Sequence, residues 1–355
     1  MMTATRTSNQ GPVAVWLIVV AALIFIMVVL GGVTRLTESG LSITDWKPVT
    51  GWIPPLSEAD WQAEFDAYRT SPEYLKINAG MSLDDYKTIF AYEYAHRLLG
   101  RVIGIVFLVP FLIFLAQRRV DRPLAWKLGV IFVLGGLQGA VGWFMVQSGL
   151  FDRPSVSQYR LAMHLGLAFL IYGAIVWTVF SLRHAPAYGA GEHWVPALRR
   201  SSAWLLALIS LTVVSGAFVA GLDAGMVYNT FPLMGGHLVP VDWGQLEPWW
   251  RNPFENVAAV QFDHRVLAVA TVIATLVLWA VARRRRLSRR SRTIADLLAL
   301  MVLVQAGLGI ATLLAVVPVW LGALHQAGAL TLFTLAIALP SSLRRLPHAA
   351  AEAPS

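Results

Sequence analysis

Eight apolar runs, each long enough to cross a bilayer, constrain this chain more than any other feature. They cover residues 13–33, 90–116, 124–146, 158–182, 200–221, 259–282, 294–315 and 319–342. About 20 consecutive apolar residues span the hydrocarbon core as a helix, and none of these runs alternates as a barrel strand does. The first run is too long for a signal-peptide core and lacks a small-x-small cleavage site, so it reads as an uncleaved helix. At about 150 residues per domain, 355 residues would suit two soluble domains. Only 14% of the residues are charged, however, and 57% are hydrophobic, with a mean hydropathy of +0.61. That is too little charge to coat a soluble surface of this size. Fourteen Trp and 16 Phe exclude a disordered polymer. The absence of Cys excludes disulfides, thiolate metal sites and covalent c-type haem attachment. The expected fold is all-α, an integral membrane protein with eight transmembrane helices.

Charge sets the orientation. The N-terminal tail, segments 117–127, 183–200 and 283–292, and the C-terminal tail hold 17 of the 28 Lys and Arg. The long loops 34–89 and 222–258 hold six, against 13 Asp and Glu. The positive-inside rule then places both termini in the cytoplasm and both long loops outside. The run Arg283 to Arg286 with Arg289, Arg290 and Arg292 reads as a topology anchor, with no nucleic acid implied. The net charge of +8 has the same origin.

The chain repeats itself. EYAHRLLGR (93–101) matches QFDHRVLAV (261–269), MHLGLAFL (163–170) matches LHQAGALT (324–331), and LGGLQGAVG (134–142) matches LVQAGLGIA (303–311). Three matches in one order, with long loops after the first and fifth spans, indicate two tandem four-helix bundles. Both would start inside, related by a pseudo-two-fold about the membrane normal. The expected boundaries are a tail at 1–12, a first half at 13–182, a linker at 183–199, a second half at 200–342 and a tail at 343–355. Gly135, Gly136, Gly139, Gly142, Gly307 and Gly309 suit close helix packing, and such faces are compatible with homo-oligomers.

Four of the eight His read as solvated: His184, His193, His237 and His348 lie in loops or tails. The others, His96, His164, His264 and His325, fall one on each even span, five or six residues after its expected start. That is roughly 8–9 Å below the outer edge at 1.5 Å per residue. Ionisable groups inside a bilayer are costly and usually functional. Without Cys or dense carboxylates, zinc and iron–sulfur sites find little support. Two facing His instead make the axial ligands of a six-coordinate haem between bundle helices. Two such sites follow, His96 with His164 and His264 with His325. Arg97 and Arg265 follow the first His of each pair, with Arg101 one turn on; they suit haem propionates or snorkel to the interface. Three residues before His96 stands Glu93, and three before His264 stands Gln261. A carboxylate beside a bound substrate accepts protons or stabilises a cation, which an amide cannot do. A first-turn acid favoured by the helix dipole is the plainer account of Glu93. Trp46, Trp52, Trp61, Trp243, Trp249 and Trp250 either lie across the pocket mouths or anchor the loops at the interface.

GGVTRLTESGLSITDWKPVTGWIPPL (31–56), EFDAYRTSPEY (64–74), EYAHRLLGR (93–101), FDHRVLA (262–268) and LHQ (324–326) together resemble the haem A synthase family over nearly the whole chain. The lack of Cys resembles its proteobacterial and mitochondrial branch, since the Gram-positive branch carries a Cys pair in its outer loops. The resemblance implies an oxidoreductase of the bacterial inner membrane, acting on a CH or CH2 group. It would convert the C8 methyl of haem O to a formyl group by successive hydroxylations with oxygen from water, giving haem A for terminal oxidases. It implies haem b as cofactor on the irons' ligands His264 and His325, near Arg265, and substrate haem O on His96 and His164, near Arg97 and Arg101. Glu93 falls at the family's essential glutamate. Haem O synthase (a protohaem farnesyltransferase) and an electron acceptor are the implied partners. Rival classes are a quinol-linked bis-histidine cytochrome and a haem transporter; the Glu93/Gln261 asymmetry separates an enzyme from the first.

Overall fold

A computed structural model describes residues 10–47, 50–151, 156–183, 188 and 192–344. His184 and His348 lie outside the described residues. The eight long helices are α1 (Gly11–Leu36), α2 (Leu83–Ala116), α3 (Arg122–Phe151), α4 (Gln158–Arg183), α5 (Val195–Gly221), α6 (Val257–Arg283), α7 (Arg289–Leu314) and α8 (Val319–Ser342). Among the described residues there is no strand; Met234 and His237 form an isolated bridge. The shortest of the eight has 24 residues, about 36 Å at 1.5 Å per residue, which exceeds a hydrocarbon core of about 30 Å. The chain is a multi-pass membrane protein.

Local chemistry sets the ends. Ser82, Asn256 and Ser288 each accept a backbone N–H of the first turn of α2, α6 and α7 with their side chains. Proline stands in the first turn of α1 and α5, where its missing N–H leaves no bond unmade. The expected spans agree with these bounds to within a few residues, save one. α2 begins at Leu83 rather than near residue 90, because a polar first turn capped by Ser82 carries the helix beyond the apolar run. His96 is therefore 13 residues into its helix, whereas His164, His264 and His325 lie six or seven into theirs.

In the N-terminal half, α1 packs on α2 and α4, and α3 on α2 and α4; in the C-terminal half, α5 packs on α6 and α8, and α7 on α6 and α8. Between the halves α1 meets α8, α5 meets α4, and α4 meets α8. Exchanging each helix for the one four later carries this set of contacts onto itself. The core fills the central seam with Leu17, Val20, Ile175, Ile209, Leu330 and Leu339. Phe333 stands edge-on to Phe169, and the hydroxyls of Tyr172 and Thr334 lie 2.7 Å apart across the same seam. On the loop side Arg35 of α1 donates to Asp223 (2.8 Å) and to the Ala220 carbonyl (3.0 Å) of the other half.

The first long loop is itself folded. A helix at Glu58–Arg69 starts with a reciprocal capping box between Ser57 and Asp60, and a short helix follows at Pro72–Lys76. Ile43, Phe65, Tyr68, Tyr86 and Phe90 form a second buried cluster that seats this loop on α2.

Candidate functional site

Each of the four membrane histidines lies against a glycine of the preceding helix. A Cβ built on Gly31 would stand 2.9 Å from Cε1 of His96, and on Gly142 3.0 Å from that of His164. On Gly216 it would stand 3.1 Å from Cε1 of His264, and on Gly309 2.9 Å from that of His325. A larger residue at Gly31 or Gly309 would force the ring to shift, and one at Gly142 or Gly216 would crowd it. The expectation that the glycine lines are packing seams is corrected here. A Cβ on Gly135, Gly136, Gly139 or Gly307 would meet nothing within 4 Å, whereas Gly142 and Gly309 receive imidazoles.

His96 stands within electrostatic range of His164, and His264 within range of His325. The rings of His96, His264 and His325 abut glycines five residues before the ends of α1, α5 and α7, all on the loop side. Gln138 donates to the carbonyl of His164 (3.0 Å) with its amide nitrogen 3.2 Å from Nδ1. Gln305 does the same at His325, at 3.0 and 3.1 Å. Ser215 Oγ lies 2.8 Å from Nδ1 of His264. Nδ1 of His96 and the Oε1 atoms of Gln138 and Gln305 are buried without hydrogen-bond partners.

This donor set suits haem. Among the described residues no three His, Cys, Asp or Glu gather as a metal cage. A porphyrin supplies four nitrogens of its own and asks the protein for two imidazoles, each oriented through its other nitrogen. Glycine notches let a flat macrocycle and a ring share the space between helices. Unpaired buried polar atoms beside the rings mark groups awaiting a partner.

Above the N-terminal pair lies a charged clasp. Oε2 of Glu93 accepts from Ser42 Oγ and from the Ile43 N–H, both at 2.7 Å. Its Oε1 accepts from Arg97 Nε (3.0 Å) and Nη2 (2.5 Å). Arg97 also donates to the carbonyls of Ile43 (2.9 Å) and Asp45 (3.3 Å). Arg101 donates to the Lys47 carbonyl (2.8 Å) beneath the Trp52 ring. Glu93 is 3% exposed, so four donors hold its carboxyl group in a nearly dry place. Beside it a pocket of about 350 Å³ is lined by Asp45, Glu64, Tyr94, Arg97 and Arg101.

The C-terminal half repeats the clasp with an amide. Arg265 donates to the carbonyls of Tyr228 (2.7 Å) and Thr230 (2.8 Å), matching Ile43 and Asp45 in spacing. Gln261 donates to the carbonyls of Ala224 (2.9 Å) and Tyr228 (3.3 Å). At Glu93 the loop donates; at Gln261 the loop accepts. The first loop's tryptophans sit on the site: Trp46 stacks on Trp143 at 5.5 Å and Trp61 meets Phe90 edge-on at 5.0 Å. Trp243 reaches Asp263 (3.5 Å), while Trp249 and Trp250 are exposed, as interface anchors are.

Sequence reasoning missed Ser42, Ser215, Gly31, Gly216, Gln138 and Gln305. The two glutamines had left a signal, for each stands four residues before a notch glycine in the matched segments LGGLQGAVG and LVQAGLGIA.

Residues 14–337 match the family described as Cytochrome oxidase assembly protein, COX15-CtaA. The chain is 53% identical over 343 residues to "Heme A synthase" of Nitrosospira multiformis, covering 97% of this chain and 96% of that protein. It is 51% identical over 330 residues to "Heme A synthase" of Parvibaculum lavamentivorans, covering 93% and 94%. With "Heme A synthase" of Caulobacter sp. it shares 46% identity over 349 residues, covering 97% and 100%.

Proposed function

The chain belongs to the COX15-CtaA family of cytochrome oxidase assembly proteins, and from that premise we propose that it is a haem A synthase. Its substrate is haem O, whose C8 methyl group becomes the formyl group of haem A. The observation that carries the reading is a bis-histidine site built twice, with a carboxylate in one copy and an amide in the other. The half at 13–182 takes haem O between His96 and His164, and the half at 200–342 takes haem b between His264 and His325.

Converting the methyl to a formyl group takes up one water and releases four electrons and four protons. Two hydroxylations each add an oxygen from water and release two electrons and two protons; loss of water from the resulting gem-diol leaves the aldehyde. Haem b, when bound, supplies one-electron chemistry that no side chain here has. Glu93 shares the helix side of His96, and its carboxylate stabilises positive charge developing on the substrate. Its four lone-pair positions are all filled, which favours this role over activation of water. Arg97 and Arg101 line the pocket under the first loop and face the propionate edge of haem O; Arg265 is their counterpart for haem b. The isoprenoid tail explains a site inside a bilayer, supplied by a protohaem farnesyltransferase and drained of electrons by an acceptor in the same membrane. The charge pattern supports both termini in the cytoplasm and both long loops outside, and the family resemblance a bacterial inner membrane.

Haem extraction and chromatography from cells expressing the chain with a source of haem O test this reading. Haem A should appear with the wild type. Glu93→Gln should keep haem b and lower haem A at least about 100-fold, the scale for loss of an electrostatic group at a reacting centre. A wild type that retains haem b but forms no haem A would instead be an electron-carrying cytochrome.

A further inference from the structure

The two histidine pairs differ in how their Nδ1 atoms are held, and the difference resides in one residue position. Ser215 stands directly before Gly216, which receives the ring of His264; Leu30 stands directly before Gly31, which receives the ring of His96. Ser215 Oγ donates its proton to the carbonyl of Thr212 at 2.7 Å, so a lone pair faces Nδ1 of His264 at 2.8 Å. That arrangement suits Nδ1 as the donor, leaving on Nε2 the lone pair that binds iron. Leu30 has no acceptor to offer. Nδ1 of His96 is buried and unpartnered. The second histidine of each pair has the same neighbour: the amide NH2 of Gln138 lies 3.2 Å from Nδ1 of His164 and that of Gln305 3.1 Å from Nδ1 of His325, each donating to that histidine's own carbonyl. The C-terminal pair thus has a polar side chain at both rings, and the N-terminal pair at only one.

We propose that His96 is the dissociable axial ligand of the N-terminal site, through which haem is exchanged, and that Ser215 keeps the C-terminal haem resident. The inference rests on the reading that both pairs take haem. It follows from what the two haems must do, since a product has to leave and a cofactor has to stay. An imidazole whose Nδ1–H is bonded is oriented and more basic, and losing that support weakens metal affinity by about 10–100-fold. Ser215 and Leu30 are positioning residues that act through His264 and His96.

The test uses the purified full chain from cells supplying haem O. Haem is transferred to excess apomyoglobin, haem b and haem A are followed by their separate spectra, and the midpoint potential of the retained haem b is measured. Ser215→Ala should speed haem b loss about tenfold or more and raise its potential, because a less basic ligand stabilises the oxidised iron less. Ser215→Thr, which keeps the hydroxyl, should restore both. Leu30→Ser should slow haem departure from the N-terminal site about tenfold, so that haem A accumulates on the protein. Wild-type transfer rates and potential in Ser215→Ala, or unchanged N-terminal release in Leu30→Ser, would overturn the proposal. Absence of haem A from every sample, with the transfer rates behaving as expected, would count against the synthase reading alone.

Discussion

Glu93 and Gln261 differ by one amide, and that difference reverses every contact each makes with its loop. Putting Gln at 93 places an NH2 against a hydroxyl and an N–H that already donate, a conflict worth about 1–3 kcal/mol. Proteolysis of the first loop therefore belongs beside any activity measurement on Glu93→Gln. A second buried carboxyl lies in that loop. Glu73 accepts from the Tyr68 hydroxyl at 3.0 Å and is 3% exposed. Burial pushes its pKa from 4.5 up to about 8; Glu93 and Glu38 push the same way, against Tyr68 and Arg35. The folded loop thus holds a proton that the unfolded loop gives up near pH 4.5. Loop stability is then full at lower pH and is lost as pH rises from about 4.5 to about 8. Cleavage of the first loop by a protease should be faster at pH 9 than at pH 6, and Glu73→Gln should flatten that dependence; an equally steep profile in the variant would remove Glu73 as its cause. Of these residues Glu93 and Gln261 were legible in the sequence, through their spacing from His96 and His264. Ser42 and Ile43 meet Glu93 from about 50 residues away, and no local pattern announces such a meeting.

At the scale of the helix, apolar length made the eight spans legible, because a bilayer allows few other solutions. The first turns of α2 escaped notice because they are polar, although Ser82 and Asp85 form a readable cap. The capped helix at Glu58–Arg69 was likewise hidden inside a segment read only as a loop. The glycines were seen but misassigned: composition shows that they are small and does not show what fills the space beside them. Gly307 and Gly309 make the test. An added methyl at 309 meets Cε1 of His325 at 2.9 Å, while one at 307 meets nothing within 4 Å. Gly309→Ala should lower bound haem b about tenfold, measured as pyridine haemochrome per protein, and Gly307→Ala should leave it near wild type. Equal haem content in the two would mean that the notch has no bearing on ligation.

At the scale of the molecule, α1, α4, α5 and α8 pack along a shared seam. The helix partners across the seam were not readable, since the repeat fixes the order within each half but not the faces that meet. Gly173 lies at that seam; a Cβ there would stand 3.1 and 3.2 Å from the Phe333 ring and 3.5 Å from Ile337. Gly173→Val should cost about 1–3 kcal/mol by overpacking and lower the thermal midpoint in detergent. Gly166→Ala, whose methyl would find Val214 at an ordinary 3.9 Å, should leave the midpoint unchanged. The tandem arrangement also has an electrical consequence. The notches at Gly31, Gly216 and Gly309 each lie five residues before the loop-side end of their helix, so redox centres seated there would exchange electrons close to the plane of the membrane. A charge driven through the bilayer gains or loses about 2.3 kcal/mol per 100 mV, but one moving along an equipotential does no such work. Haems held there as proposed would pass electrons between the halves with little work against the membrane potential.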